Sequence, residues 1–145
     1  MTRVFRTQTL AQQRRRLLQM LAQTMRALTQ HSRFNEQVRD MIAFLILTLR
    51  EIAATVNTTA TAWEKRDYWL KADQFRMEWD WAPRVARALE DGLQAEDWDA
   101  TSRALADLAP RLAHVRLPKR PRWGAEPWKK AWQAWKAKRG PQEAS

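Results

Sequence analysis

Met41-Ile42-Ala43-Phe44-Leu45-Ile46-Leu47-Thr48-Leu49 is the longest apolar stretch of the chain, closed by Arg39-Asp40 on one side and Arg50-Glu51 on the other. It shows no polar–apolar alternation, so it does not read as a half-buried strand. A membrane span needs about 20 apolar residues, so the run is expected to be a buried core helix and no transmembrane segment is expected. A helix that is apolar on all sides belongs at the centre of a domain. Ser32 or Asn35 can cap its start. Asn57-Thr58-Thr59-Ala60-Thr61 is expected to break it near Val56, because Asn and Thr side chains compete for helical hydrogen bonds.

On the N-terminal side, Thr9 and Gln12 have capping-box spacing and predict a first helix beginning after Thr9. Leu10, Leu17, Leu21 and Leu28 share one face, widened by Leu18 and Met25, while Arg15, Arg16 and Arg26 point away from it. Arg14 falls among the leucines by helical phase. It must reach the bundle end or meet an acid of another helix, with Asp40 as a candidate.

On the C-terminal side, Thr61 and Glu64 repeat the capping-box spacing. A third helix follows, with Trp63, Trp69, Ala72, Phe75, Trp79, Ala82, Ala86, Leu89 and Leu93 at spacings near three and four. Pro83 is expected to kink or restart it after Asp80, and Gly92 to cap its end. A fourth helix from Asp97 or Asp99 uses Leu105, Leu108, Leu112 and Val115, with a kink point at Pro110. The fold expected is all-α: an antiparallel four-helix bundle with proline-kinked helices over residues 1–117, followed by a separate C-terminal region, 118–145.

That region opens with the basic, proline-broken linker Pro118-Lys119-Arg120-Pro121-Arg122. Pro127 just inside and Gly140 just past the next periodic stretch predict a short amphipathic helix. Trp128, Trp132 and Trp135 fall on one narrow face of it, flanked by Lys129, Lys130 and Lys136. Three indoles expose too much apolar surface to stay bare. The face is expected to dock on its own bundle, for instance over the Trp63 to Trp79 surface, or on a partner protein or second copy; base stacking and a membrane surface are the remaining options.

Charge is sorted along the chain, whose formal net charge is +10. From Met1 to Asn35 there are seven basic residues and no acid; from Thr61 to Asp99 ten acids face six bases; from Pro118 to Ser145 eight bases face two acids. A surface shaped only for solubility intersperses both signs. If the basic ends converge they form a track for a phosphate backbone, and tryptophan beside Arg or Lys, as in Arg120-Pro121-Arg122-Trp123, suits stacking of unpaired bases. The candidate nucleic-acid contacts are Arg15, Arg16, Lys119, Arg120, Arg122, Trp123, Lys129, Lys130, Lys136, Lys138 and Arg139. Trp128, Trp132 and Trp135 are the candidate partner-docking residues.

Catalytic readings find less support. There is no cysteine, hence no thiolate metal site, no thiol nucleophile and no disulfide, which accords with a reducing, cytoplasmic setting. The acid-free, Arg-rich N-terminus also has the composition of a mitochondrial presequence. Glu64-Lys65-Arg66-Asp67 resembles the second half of the magnesium motif of all-helical nucleotide pyrophosphohydrolases of the MazG type. The first half is missing, because Glu36 and Asp40 have the wrong spacing and Glu51 has no acid three residues on. Neither His31 nor His114 follows a Glu at di-iron spacing, and no nucleophile elbow is present. The expectation is a non-catalytic subunit that binds RNA or single-stranded DNA in a larger assembly, without a cofactor or metal. The alternative is a protein-interaction module whose tail helix docks a partner.

Overall fold

In the computed structural model, six helices follow one another: α1 (Leu10–Leu28), α2 (Glu36–Glu64), α3 (Trp69–Glu78), α4 (Trp81–Gln94), α5 (Trp98–Leu112) and α6 (Ala131–Glu143). Backbone is described for residues 9–143 and side chains for residues 9–138, and among the described residues there is no strand.

The apolar run lies in α2, which packs against α1, α3, α4 and α6. Leu45, Ile46, Leu49 and Ile52 are fully buried. At 1.5 Å per residue the 29 residues of α2 span about 43 Å, which leaves room for separate neighbours along its length. α5 packs on α4 and on α1, so α1, α2, α4 and α5 close a circuit of neighbours, while α3 and α6 lie against α2. By length and composition alone α2 is long and apolar enough to cross a membrane, contrary to the estimate from the apolar run; 56 % of its most apolar window is buried against other helices.

Local signals mark several ends correctly. Thr9 and Gln12 form the reciprocal capping box of α1. The Asn35 side chain accepts from the Val38 amide at the start of α2. The Asp97 side chain accepts from the Ala100 amide at the start of α5.

Elsewhere the expected boundaries move. Asn57 to Thr61 does not break α2, and Thr61 caps nothing, because it lies inside the helix. The hydroxyls of Thr55 and Thr58 donate back to the carbonyls of Ile52 and Ala54, so they are satisfied without disturbing the ladder. The break comes at residues 65–68. Asp67 takes a left-handed conformation with φ 65°, and the Tyr68 amide closes on the Trp63 carbonyl at 2.9 Å. The expected third helix is therefore two, α3 and α4. The restart expected after Asp80 is there: α4 begins at Trp81 with Pro83 as its third residue, in the first turn, where an amide has no intrahelical acceptor to lose. Asp80 makes no side-chain cap and instead pairs with Arg84 at 3.8 Å. Pro110 sits in the last turn of α5, which continues to Leu112. Residues 127–130 form turns ahead of α6, and Gly140 lies within that helix, not past its end.

Gly92 is likewise inside α4 and not at its cap. It is needed for a close approach: a Cβ there would stand 2.4 Å from Thr101 Oγ1 and 3.1 Å from the Thr101 amide nitrogen of α5. Gly92→Ala is expected to push α4 and α5 apart and to lower stability by about 1–3 kcal/mol, despite the better helix propensity of alanine. Urea unfolding followed by circular dichroism measures this, and a stabilised variant would contradict the close approach.

Candidate nucleic-acid interface

α1 turns two opposite faces to its surroundings. Leu17, Leu21 and Thr24 are buried. Arg15, Arg16, Gln19, Gln23 and Arg26 fall within about 100° of arc on the other side. That outward face holds the basic linker. Arg26 donates to the Val115 carbonyl at 2.6 Å and the Gln19 side chain to the Arg116 carbonyl at 3.1 Å. Gln23 grips the linker further on. Its amide nitrogen donates to the carbonyls of Gly124 and Ala125, and its oxygen accepts from Trp123 Nε1. α1 and the linker, both basic, thus lie together: Arg15 and Arg16 on α1, and Arg116, Lys119, Arg120 and Arg122 in the segment held over it. Of these, all but the half-buried Arg16 are exposed.

Five carboxylates pair with cations elsewhere. Among the described residues the ion pairs are Arg50–Glu90, Arg76–Glu64, Arg84–Asp80, Arg84–Asp107, Arg111–Asp107 and Lys129–Glu126. None involves Arg15, Arg16, Arg26, Lys119, Arg120 or Arg122. Glu64, Asp80 and Glu90 pair with cations of the central helices and Lys129 with the linker's own Glu126, while the cations of the α1–linker face have no ion pair among the described residues.

The tryptophan stripe of α6 docks on its own chain. Trp128 and Trp135 are 5 % and 4 % exposed, and Trp132 is half-buried. The seat of α6, with Trp132 and Trp135, is not the Trp63 to Trp79 surface but α2 and α4; Trp128 is buried in the turn before the helix. Asp40 accepts from the Trp132 amide at 2.9 Å and so caps the start of α6, and Trp135 Nε1 donates to Glu90 at 3.0 Å. This burial removes Trp128 and Trp135 from the residues open to a partner. Lys130, Lys136 and Lys138 remain exposed, with the Lys136 ammonium 5.7 Å from the centre of the Trp132 ring. Arg139 lies outside the described side chains.

Arg14 is the cation whose place the helical phase foretold and whose partner it did not. It is 9 % exposed and does not meet Asp40. Its guanidinium donates to the hydroxyls of Thr55 and Thr59 at 3.3 and 3.4 Å and lies over the rings of Phe75 and Trp79 at 4.9 and 5.9 Å. Burial pushes it down from the ordinary arginine range, and the charge of Glu78 draws it partly back. The Asn/Thr tract that was expected to end α2 is thus an acceptor surface. Thr55 and Thr59 serve Arg14, and Asn57 and Thr61 serve Arg76.

The motif half that resembles a magnesium site does not form one face. Glu64 is the last residue of α2 and Asp67 stands in the left-handed turn beyond it. Glu64 is bound by Arg76 through two guanidinium nitrogens, at 2.5 and 3.3 Å. Among the described residues no group of three or more His, Cys, Asp or Glu is placed to hold a metal ion.

Sequence reasoning passed over a cleft of about 540 Å³ where the α1–α2 turn, the α4–α5 turn and α6 meet, lined by Phe34, Arg39, Glu96, Trp98, Trp132 and Lys136 among others. Phe34 and Trp98 lie 64 positions apart and their rings are 3.9 Å apart between centres. The available signal was weak: an apolar residue beside a helix cap at each of two turns. No family model matches the chain, and neither a curated protein nor a solved structure matches it.

The Glu64–Arg76 pair carries a pH signature. The Arg76 hydrogen bonds hold the Glu64 carboxyl below its ordinary value of 4.5. A lowered native value means the pair's stabilisation is complete above the ordinary range and is lost as pH falls through the native value. Glu64→Gln is expected to be less stable than the wild type at pH 7, with the difference shrinking below pH 4.5. Denaturant midpoints at pH 7 and at pH 3 to 4 measure it, and a gap that stays constant would contradict the assignment.

Proposed function

We propose that the chain is a non-catalytic subunit that binds the phosphate backbone of RNA or single-stranded DNA within a larger assembly, and that the α1–linker face is the contact surface. The observation that carries this reading is the clasp of the basic linker onto the arginine-bearing face of α1, with none of its cations drawn into the described ion pairs. Arg15, Arg16, Lys119, Arg120 and Arg122 meet phosphates as point or forked donors. Trp123 is the peg that holds the linker in register, because its indole nitrogen is already bound to Gln23. Lys130 before α6 and Lys136 and Lys138 on it are further exposed cations. The backbone contact is independent of sequence and lowers its affinity as salt rises.

Fluorescence anisotropy with labelled oligo-U and oligo-dT at several salt concentrations tests this. The logarithm of affinity is expected to fall linearly with that of salt, by roughly 0.7 per neutralised phosphate on single strands. Arg120→Glu combined with Arg122→Glu is expected to weaken binding about 10-fold or more at low salt and to make the slope shallower by roughly 1.4, two phosphate contacts' worth. Absence of binding to any homopolymer at low salt would overturn the reading.

A second reading, a protein-interaction module that pairs with a partner or with another copy, has its own observation. Tyr68, Trp69, Leu70 and Met77 on and beside α3 are 53 %, 58 %, 71 % and 76 % exposed, an apolar group larger than scattered surface residues make. In this reading the docking element is α3, since the α6 stripe is covered. Sedimentation velocity of the wild type against Leu70→Glu with Met77→Glu checks the self-association form. A mass that falls to the monomer in the variant supports it, and a wild type monomeric at high concentration removes it.

A further inference from the structure

From the cleft between the two helix turns and α6, we infer that the chain holds one nucleotide unit there, its base on the aromatic walls and its phosphate on Arg39 and Lys136. The inference rests on the nucleic-acid reading and adds a base-recognising subsite to a backbone-binding face. Two aromatic pairs line the cleft. The rings of Phe34 and Trp98 meet at 3.9 Å between centres, tilted by 30°, and are 43 % and 37 % exposed, so they are open to a ligand. Trp132 and Trp135 stand 5.1 Å apart in the opposite wall. The volume, about 540 Å³, is in the range of small-molecule sites.

Charge in the cleft selects an anionic ring compound over a plain apolar one. The Arg39 guanidinium and the Lys136 ammonium lie 4.6 and 5.7 Å from the centre of the same Trp132 ring. Neither takes part in the described ion pairs. The Nε of Arg39 is buried with no hydrogen-bond partner among the described residues. The neighbouring carboxylate, Asp40, already accepts from the Trp132 amide. Glu96 is the acid that lines the cleft, and it offers an acceptor to a base's exocyclic amine. Its left-handed backbone, φ 52°, belongs to the end of α4, where the Asp97 amide closes on the Gly92 carbonyl at 2.9 Å.

The test separates this subsite from the backbone face. Stacking contributes about 1–3 kcal/mol per base, so Trp98→Leu with Phe34→Leu is expected to weaken binding of a base-bearing oligonucleotide roughly 5- to 100-fold. The slope against salt is expected to stay unchanged, because no phosphate contact is lost. An abasic oligonucleotide of equal length is expected to bind wild type and variant alike. Mononucleotides (AMP, CMP) titrated against tryptophan fluorescence distinguish a strand's nucleotide from a free one. Quenching by mononucleotides without oligonucleotide binding keeps the subsite and removes the strand reading. Oligonucleotide binding that the double variant leaves intact overturns the subsite and keeps the backbone face. Neither response from the wild type overturns the subsite. Circular dichroism of the variant confirms that these two exposed side chains are removed without unfolding.

Discussion

The apolar run of α2, residues 41–49, has no polar side to turn to water and must be covered all round, and that requirement organises this molecule. α2 has buried positions from Val38 to Ala60, so no single partner helix covers it. α1, α3, α4 and α6 each take part of its circumference. The tryptophan helix α6 is accordingly drawn into the same core cluster through Ala131 and Trp135 instead of standing off as an appendage. Burial of one large side chain stabilises by about 1.5–3 kcal/mol, so the two buried tryptophans of this region bind it firmly to the bundle.

Cations in this chain are held in three ways, and the division decides which surface is left charged. Arg50, Arg76, Arg84 and Arg111 meet carboxylates of the central helices. Arg14, Arg39, Lys71, Arg111 and Lys136 lie over aromatic rings, where the quadrupole replaces a counter-ion. Among the described residues, Lys65 and Arg66 after α2, Arg87 on α4 and Arg103 on α5 meet neither, and nor do Arg15, Arg16 and Arg26 on α1 and Lys119, Arg120 and Arg122 of the linker. Glutamines do the structural work there: Gln19 and Gln23 hold the linker through neutral amides and leave its charges unspent. A salt bridge in the same place would have fixed the linker and cancelled the field.

The all-helical class, the buried run, the caps at Thr9, Asn35 and Asp97 and the buried phase of Arg14 were legible because each depends on residues within four positions of one another. The break in α2 was misplaced because Thr hydroxyls can donate back to the preceding helical turn, as at Thr55 and Thr58, and still accept from outside it, and only the presence of Arg14 and Arg76 on neighbouring helices supplies those outside donors. Gly92 was misread for a similar reason. A glycine near a helix end suits a left-handed cap or a close crossing equally, and Thr101 of α5 decides between them.

For the site, sequence alone determined that positive charge gathers at both ends of the chain and that a three-indole face must be covered, since charge counts and helical phase need no third dimension. It could not determine that α1 and the linker lie together, that α6 covers its indoles against α2 and α4, or that Phe34 and Trp98 meet across 64 positions. Those follow from the packing of helices around α2, because contacts between distant residues are set by which faces the core consumes and which it leaves out.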